Sequence, residues 1–353
     1  MKKASLPVLA LVIAACGGEV AEPSSGGGTA LPPRAPASDP APATAPMAES
    51  VSGDVGAPTA IALDGDLVVF TTRTTRVGSE KIEAGGLFVA DKKVGPALLV
   101  DLDRRGATFD ALTTDGTSAF VATSDGRVVS VPLMGGDEKL VTQLDAPAIA
   151  IATAGDSVYV AYESGDVARV AKAGGTAEAL AKVDGAVRGL VADDAAVYVA
   201  TAKTDAGAIV RIALATKDAK ALATAPGQPC AVVRDAAHVF WTTAEGASKG
   251  SVRRVSLDGA DQGTVAEGAF TACALASDAS SLYFATTVPG SLPVRSNGSG
   301  AAAGLGLMRA PIMGGAPVAI AEASGALAQP GAVAVDATHL YWLTGSAVMR
   351  LRK

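Results

Sequence analysis

After residue 50, short apolar runs recur along the chain, separated by turns that carry Gly, Asp or Ser. Aligned on their aromatic members, the runs form seven copies. They read DGDLVVFTT (64–72), DGTSAFVAT (115–123), AGDSVYVAY (154–162), DDAAVYVAT (193–201), DAAHVFWTT (235–243), DASSLYFAT (278–286) and DATHLYWLT (336–344). The starts are 51, 39, 39, 42, 43 and 58 residues apart, which brackets the ~40–50 residues of a four-stranded propeller blade. A small-apolar run precedes each aromatic one, as in TAIAL (59–63), RGLVA (188–192) and CAVVR (230–234). Weak alternation in those runs predicts strands buried on both faces.

A third run follows, such as GDVARVAK (165–172) or GSVRRVSL (250–257), and then a fourth, such as EKLVTQL (138–144) or AEALAKV (177–183). The Gly-Gly and Asp-Gly pairs between them, at 135–136, 174–175, 258–259 and 314–315, supply the positive φ that hairpin turns require. Four antiparallel strands cannot bury both faces alone, whereas a closed ring of such sheets can. The pattern therefore predicts an all-β chain, a seven-bladed β-propeller of four-stranded antiparallel blades. The last copy has only three strands before Lys353. Residues near Glu49–Asp54 are expected to supply the missing outer strand and close the ring.

Three segments are expected. Residues 1–15 read as a lipoprotein signal peptide, with Lys2 and Lys3 ahead of an apolar stretch too short to span a bilayer. Residues 16–50 are rich in Gly, Ser, Pro and Ala and read as a disordered tether. Residues 51–353 are the repeat domain, about 43 residues per blade. Ile13-Ala14-Ala15-Cys16 resembles the bacterial lipobox. That resemblance implies a lipid-modified Cys16 as the new N-terminus, and an envelope location held through the N-terminal lipid in the outer membrane, facing the periplasm or the surface.

The domain's third-strand signature, G-x-V-x-R-V-x-L-D-G at 250–259, together with HVFWTT and HLYWLT, resembles the YWTD-type repeats of low-density-lipoprotein-receptor propellers. It is more similar still to the lipid-anchored propeller proteins of myxobacteria and related soil bacteria. Thr243 and Thr344 lack the Asp that ends a YWTD motif, being followed by Ala244 and Gly345. YWTD rings also usually have six blades, against seven copies here.

Hydrophobic residues make up 49% of the chain and aromatic ones only 4%, so Ala and Val must carry much of the core. The formal net charge is −6, and becomes −8 once Lys2 and Lys3 leave with the signal. An acidic domain without basic runs argues against nucleic acid as a partner.

The repeat disposes of several apparent sites. Asp64, Asp115, Asp193, Asp235, Asp278 and Asp336 each open a tight turn, where the side chain can accept from amides two residues on. The Thr column (Thr72, Thr123, Thr201, Thr243, Thr286, Thr344) is expected to make hydrogen bonds at strand ends. Arg169, Arg211, Arg254, Arg309 and Arg350 are expected to lay their stems between blades and bond backbone or a carboxylate. His238 and His339 occupy equivalent places in separate blades, so neither a histidine metal site nor a Ser-His-Asp arrangement is expected. No Walker or dinucleotide glycine motif is present, and no cofactor is expected.

Cys230 and Cys273 stand five residues before Asp235 and Asp278, at equivalent places on inner strands of consecutive blades. After export, that matching predicts a disulfide. Antiparallel order puts the second-to-third-strand loops and the blade-to-blade connections on one face. The long insertions, 72–85 in the first blade and 288–304 in the sixth, both belong to that face. Insertions on a rigid scaffold are where binding concentrates. Asp110 and Arg188 stand in the Cys230 column at the channel mouth, and Arg73, Arg76, Arg295 and Asn297 lie in the insertions. These six are the candidate binding residues for an unknown protein or glycan. The expected function is non-catalytic binding or scaffolding in the cell envelope. An accessory role in outer-membrane protein assembly is the alternative. A propeller lyase or glycosidase ranks below both, because a hydrolytic pair usually needs two carboxylates.

Overall fold

The computed structural model describes residues 48–77, 80–82, 85–93, 95–100, 107–204, 206–245, 249–268, 271–288, 304–323 and 333–353. Every regular element among them is a strand, and the strands form seven antiparallel sheets. Blade 4 is representative: Ala186–Ala192, Ala196–Ala202, Ala206–Ala213 and Ala219–Pro226 pair in chain order. The innermost strands meet in a closed circuit. Gly56–Asp64 neighbours Phe109–Thr114, followed by Ala150–Ala154, Ala186–Ala192, Gln228–Arg234, Thr271–Ser277 and Val333–Val335, which returns to Gly56–Asp64.

The circuit closes as the three-stranded final copy predicts. Glu49–Ser50 pairs with the last strand, Val348–Arg352, with Glu49 opposite Arg350 and Ser50 opposite Met349. The Arg350 guanidinium donates to the Glu49 carboxylate at 2.7 Å, and Ser52 Oγ accepts from the Val348 amide at 2.9 Å. Val51 and Val55 are buried in the joint. The ring thus begins two residues ahead of the boundary at 51 that composition suggested.

The core is divided among the joints. Among the described residues there are seven apolar clusters, one at each interface between consecutive blades. Adjacent residues of one aromatic strand serve opposite joints. Phe240 packs toward blade 6, while Trp241 packs toward blade 4. The second strands are thus buried on both faces, with a blade on either side, whereas the first strands, which were expected to be so, stay largely half-buried along the inner circuit, Gly56–Asp64 throughout. Ala and Val supply most of the buried positions, as the low aromatic content requires.

The Asp column is structural, and it does more than open turns. In Asp115, Asp193, Asp235, Asp278 and Asp336, Oδ1 accepts from the amides two and three residues on, at 2.7–3.0 Å. In three blades Oδ2 also takes a lysine from the next blade: Lys172 to Asp115 at 2.9 Å, Lys353 to Asp278 at 2.6 Å and Lys92 to Asp336 at 2.8 Å. Each ammonium also lies over an aromatic ring of the blade it grips, Phe120, Tyr283 or Tyr341, at 5.4–5.8 Å from the centroid. Arg234 meets Asp193 at 3.3 Å in a related contact. These latches are mostly shielded, with the Lys92 and Asp336 side chains only 11% and 22% exposed.

Burial pushes the latched carboxyls upward, but donors from the lysine and the turn outweigh it. Lys172, Ser118 and Thr117 together hold Asp115 at about 2. The Asp278 and Asp336 carboxyls are likewise held below the ordinary carboxylate value, with Lys353 and Lys92 the leading opponents of burial. A carboxyl whose folded pKa is depressed contributes stability above its unfolded pKa and loses it as pH falls toward the folded one. Lys172→Met is therefore expected to lower unfolding free energy by about 1–2 kcal/mol at pH 7. Urea unfolding should show that deficit shrinking between pH ~4 and pH ~2, the window between the ordinary carboxylate value and the held one.

The arginine column bonds backbone or a carboxylate, as anticipated, at Arg169, Arg254 and Arg350, whereas Arg309 donates to a hydroxyl. Arg254 reaches the Met313 carbonyl of the next blade at 3.3 Å, Arg169 pairs with Glu178 at 2.6 Å, and Arg309 donates to Ser281 Oγ at 2.9 Å.

Candidate functional site

Five of the innermost strands share a defect near their first residues. Pairing with the second strand skips Thr59 in blade 1, Asp110 in blade 2, Arg188 in blade 4, Cys230 with Ala231 in blade 5, and Cys273 in blade 6. In blade 3 the pairing is regular, and the Ile149 amide just ahead of the strand donates to Ala161 O. Each of the five breaks is a β-bulge: one extra residue faces a single partner, which bends the strand and re-aims the side chain. The column proposed from sequence therefore forms bulges around the channel mouth in five blades, with Ile149 at the equivalent place in blade 3. Gly331, its blade 7 member, lies outside the described residues.

The column presents chemically varied groups. Arg188 and Cys273 are exposed, Ile149 is 38% exposed, and Thr59 and Cys230 are half-buried. Thr59 Oγ1 donates to Phe109 O at 3.1 Å and shares a hydrogen bond with Thr71 Oγ1 at 2.9 Å, tying blade 1 to blade 2. Cys230 and Cys273 form a disulfide, with Cα atoms 4.9 Å apart. That separation falls within the ordinary bridging range.

Sequence reasoning overlooked Ile149 because its copy opens with Ala154 where other blades have Asp, which hides the column. The offset of five residues from that column position would have found it.

The 72–85 insertion is not an irregular loop. The second strand of blade 1 runs on from Leu67 to Val77, and a short strand, Glu80–Ile82, returns along it with Thr75 opposite Ile82 and Val77 opposite Glu80. The segment TRTTRV carries four β-branched residues, and they suit a hairpin arm. Arg73 is exposed at its base. In blade 6 the strands that bracket the other insertion run to Val288 and resume at Gly304. Cys16, Arg295 and Asn297 lie outside the described residues, as do the side chains of Arg76 and Asp110. Asp110 and Arg188 belong to blades 2 and 4, with blade 3 between them, so the fold does not bring the two onto adjacent strands.

His238 and His339 sit in separate blades. His238 lies 3.8 Å from Asp261 of its own blade, and His339 Nδ1 shares a hydrogen bond with Thr338. Among the described residues no group of three or more His, Cys, Asp or Glu side chains is placed to hold a metal ion.

Ring and closing strand define a seven-bladed β-propeller around a central channel. The chain resembles solved structures of that overall shape at low identity. One is U3-55K, with a TM-score of 0.66 and 9% identity over 87% of this chain and 98% of that one. A chain of the mitotic checkpoint complex gives 0.63 and 10%, covering 92% and 99%. The computationally designed Ika8 protein gives 0.57 and 14%, covering 86% and 98%. At these identities the likeness concerns fold alone. No protein-family model and no curated protein matches the sequence.

Proposed function

We propose that the chain is a lipid-anchored, non-catalytic binding or scaffold protein of a bacterial envelope, and that it engages a protein or glycan through the face bearing the bulges. The observation that carries this reading is the paired arm Leu67–Val77 and Glu80–Ile82, raised on the face where exposed side chains emerge from the inner strands. An ordered projection beside a concave mouth is a recurrent form of recognition surface. Anchoring is supported by the Ile13-Ala14-Ala15-Cys16 motif after its short apolar stretch.

Both parts can be tested in the native envelope. A photo-crosslinker at Arg73 should capture a defined envelope component. Replacing residues 74–84 by a two-residue turn should abolish that capture while leaving the melting temperature unchanged. Cys16→Ala should move the protein from the membrane to the soluble fraction. Equal capture by the trimmed chain would remove the binding face from consideration. A Cys16→Ala protein still in the membrane would remove the anchor.

A further inference from the structure

One blade breaks the threonine column. Thr72, Thr123, Thr201, Thr243 and Thr286 are buried where the second strand ends, and Thr344 is half-buried there. Their hydroxyls bond within their own blades, as when Thr123 Oγ1 donates to Arg127 O at 3.0 Å and Thr286 Oγ1 donates to Gly306 O at 3.2 Å. Blade 3 has Tyr162 instead. A phenol ring does not fit a site that encloses threonine completely, and Tyr162 is half-buried along a cleft of about 650 Å³ between blades 2 and 3.

The rest of the cleft fits a small ligand. Its lining includes small apolar side chains, Ala168, Ala177 and Ala179, with the buried Leu144 and Leu180. Larger residues there would have filled the wedge between the blades. Polar groups gather at the end that shares the bulge-bearing face. Asp145 lies on the connection into blade 3, and Ser164 on the turn after Tyr162. Ser164 Oγ donates to Asp166 at 2.7 Å, and Lys182 Nζ reaches both Asp166 oxygens at 3.0 Å. Burial, then the Asp145 and Asp166 charges, raise the Tyr162 phenol above its ordinary value, so its hydroxyl keeps its proton and can donate.

We infer that this cleft is a binding site for a neutral saccharide, with Tyr162 as its aromatic platform. A pyranose has one apolar C–H face to lay on the ring and hydroxyls around its edge that both donate and accept. Tyr162 and Lys182 supply donors, and Asp145 and Ser164 Oγ supply acceptors. A largely apolar pocket with a few convergent polar groups is the ordinary form of a small-ligand site. An organic cation suits it less well, because Lys182 already compensates Asp166 at the rim. The site lies in blades 2 and 3, apart from the insertions of blades 1 and 6, so it stands or falls independently of the partner face proposed above.

Titration calorimetry of the full-length chain with maltotriose, cellotriose and chitotriose, and with cadaverine as the cationic comparison, tests the assignment. At least one trisaccharide should bind. Tyr162→Thr, which restores the residue of the other blades, should weaken binding by about tenfold or more in a chain that stays folded. Tyr162→Phe should keep most of the affinity. Asp145→Asn, a change at an exposed rim position, should weaken binding severalfold and serves if the threonine variant fails to fold. Binding of cadaverine alone, binding of none of the four, or unchanged affinity in Tyr162→Thr or Asp145→Asn would overturn the inference.

Discussion

A chain lacking residues 48–56 is expected to melt far below the full-length protein, whereas one lacking residues 20–44 should melt with it. The first deletion removes the outer strand of blade 7, the Glu49–Arg350 ion pair and the Ser52 hydroxyl that caps the Val348 amide. It also strips Val51 and Val55 from a cluster that includes Phe70, Phe88 and Tyr341. Two buried valines contribute about 1.5–3 kcal/mol each. The exposed edge of blade 7 and the uncovered joint add to that, so a loss of roughly 5 kcal/mol or more is expected. The second deletion falls in the Gly-, Ser- and Pro-rich stretch that composition assigns to the tether. Calorimetric scans of the two truncations side by side decide the matter; coincident transitions would mean that the ring closes without its first strand.

Loss of the Cys230–Cys273 bridge is expected to have the next largest effect. The cysteines are 43 residues apart. Closing a loop of that length restricts the unfolded chain by about 4 kcal/mol on the chain-entropy model. The Cys230→Ser and Cys273→Ser double variant should therefore unfold at clearly lower urea concentration than the oxidised parent, and the reduced parent should fall close to the variant. The apolar joint beneath the bridge, with Phe240, Leu275 and Phe284, remains in both. Thiol titration of denatured, unreduced protein should find the pair oxidised; two free thiols in material from the envelope would contradict the bridge.

Much of this architecture could be read before any coordinates, because repetition exposes whatever each blade needs. The Asp, Thr and Arg columns recur since every turn and joint repeats the same backbone problem. The equal offset of Cys230 and Cys273 from their aspartates located the bridge for the same reason. The missing fourth strand of the last copy pointed to the segment at Glu49. What escaped notice is whatever breaks the period or joins one copy to another. The latches link a lysine of one blade to an aspartate of the blade before it. Lys92, Lys172 and Lys353 hold a position that is Leu or Ile in the other blades, Leu133, Leu214, Leu257 and Ile312. Averaged over copies, such a column looks merely mixed. The bulges leave no mark in composition, since Thr59, Asp110, Arg188 and Cys273 share nothing but their place. Tyr162 was visible as the odd member of its column, but the space that makes its size matter comes from alanines on neighbouring strands.

The uneven fastening of the seven joints determines how the ring can give way. Blades 5 and 6 are joined covalently, blades 6 and 7 by the Lys353 latch, and blades 7 and 1 by the Lys92 latch and the closing strand. Across the ring, the joint between blades 3 and 4 carries the exposed Lys217–Glu178 pair, and that between blades 1 and 2 carries the uncharged Thr59 bond to Phe109. Blades 2 and 3 are held by the Lys172–Asp115 latch and blades 4 and 5 by the Arg234–Asp193 contact, so the joints between blades 1 and 2 and between blades 3 and 4 are the least fastened. Thermal breathing should therefore run along those two seams, while the strand ends at Val77 and Val288, joined through the fastened seams on either side of blade 7, keep their distance from each other like the fixed jaws of a gauge.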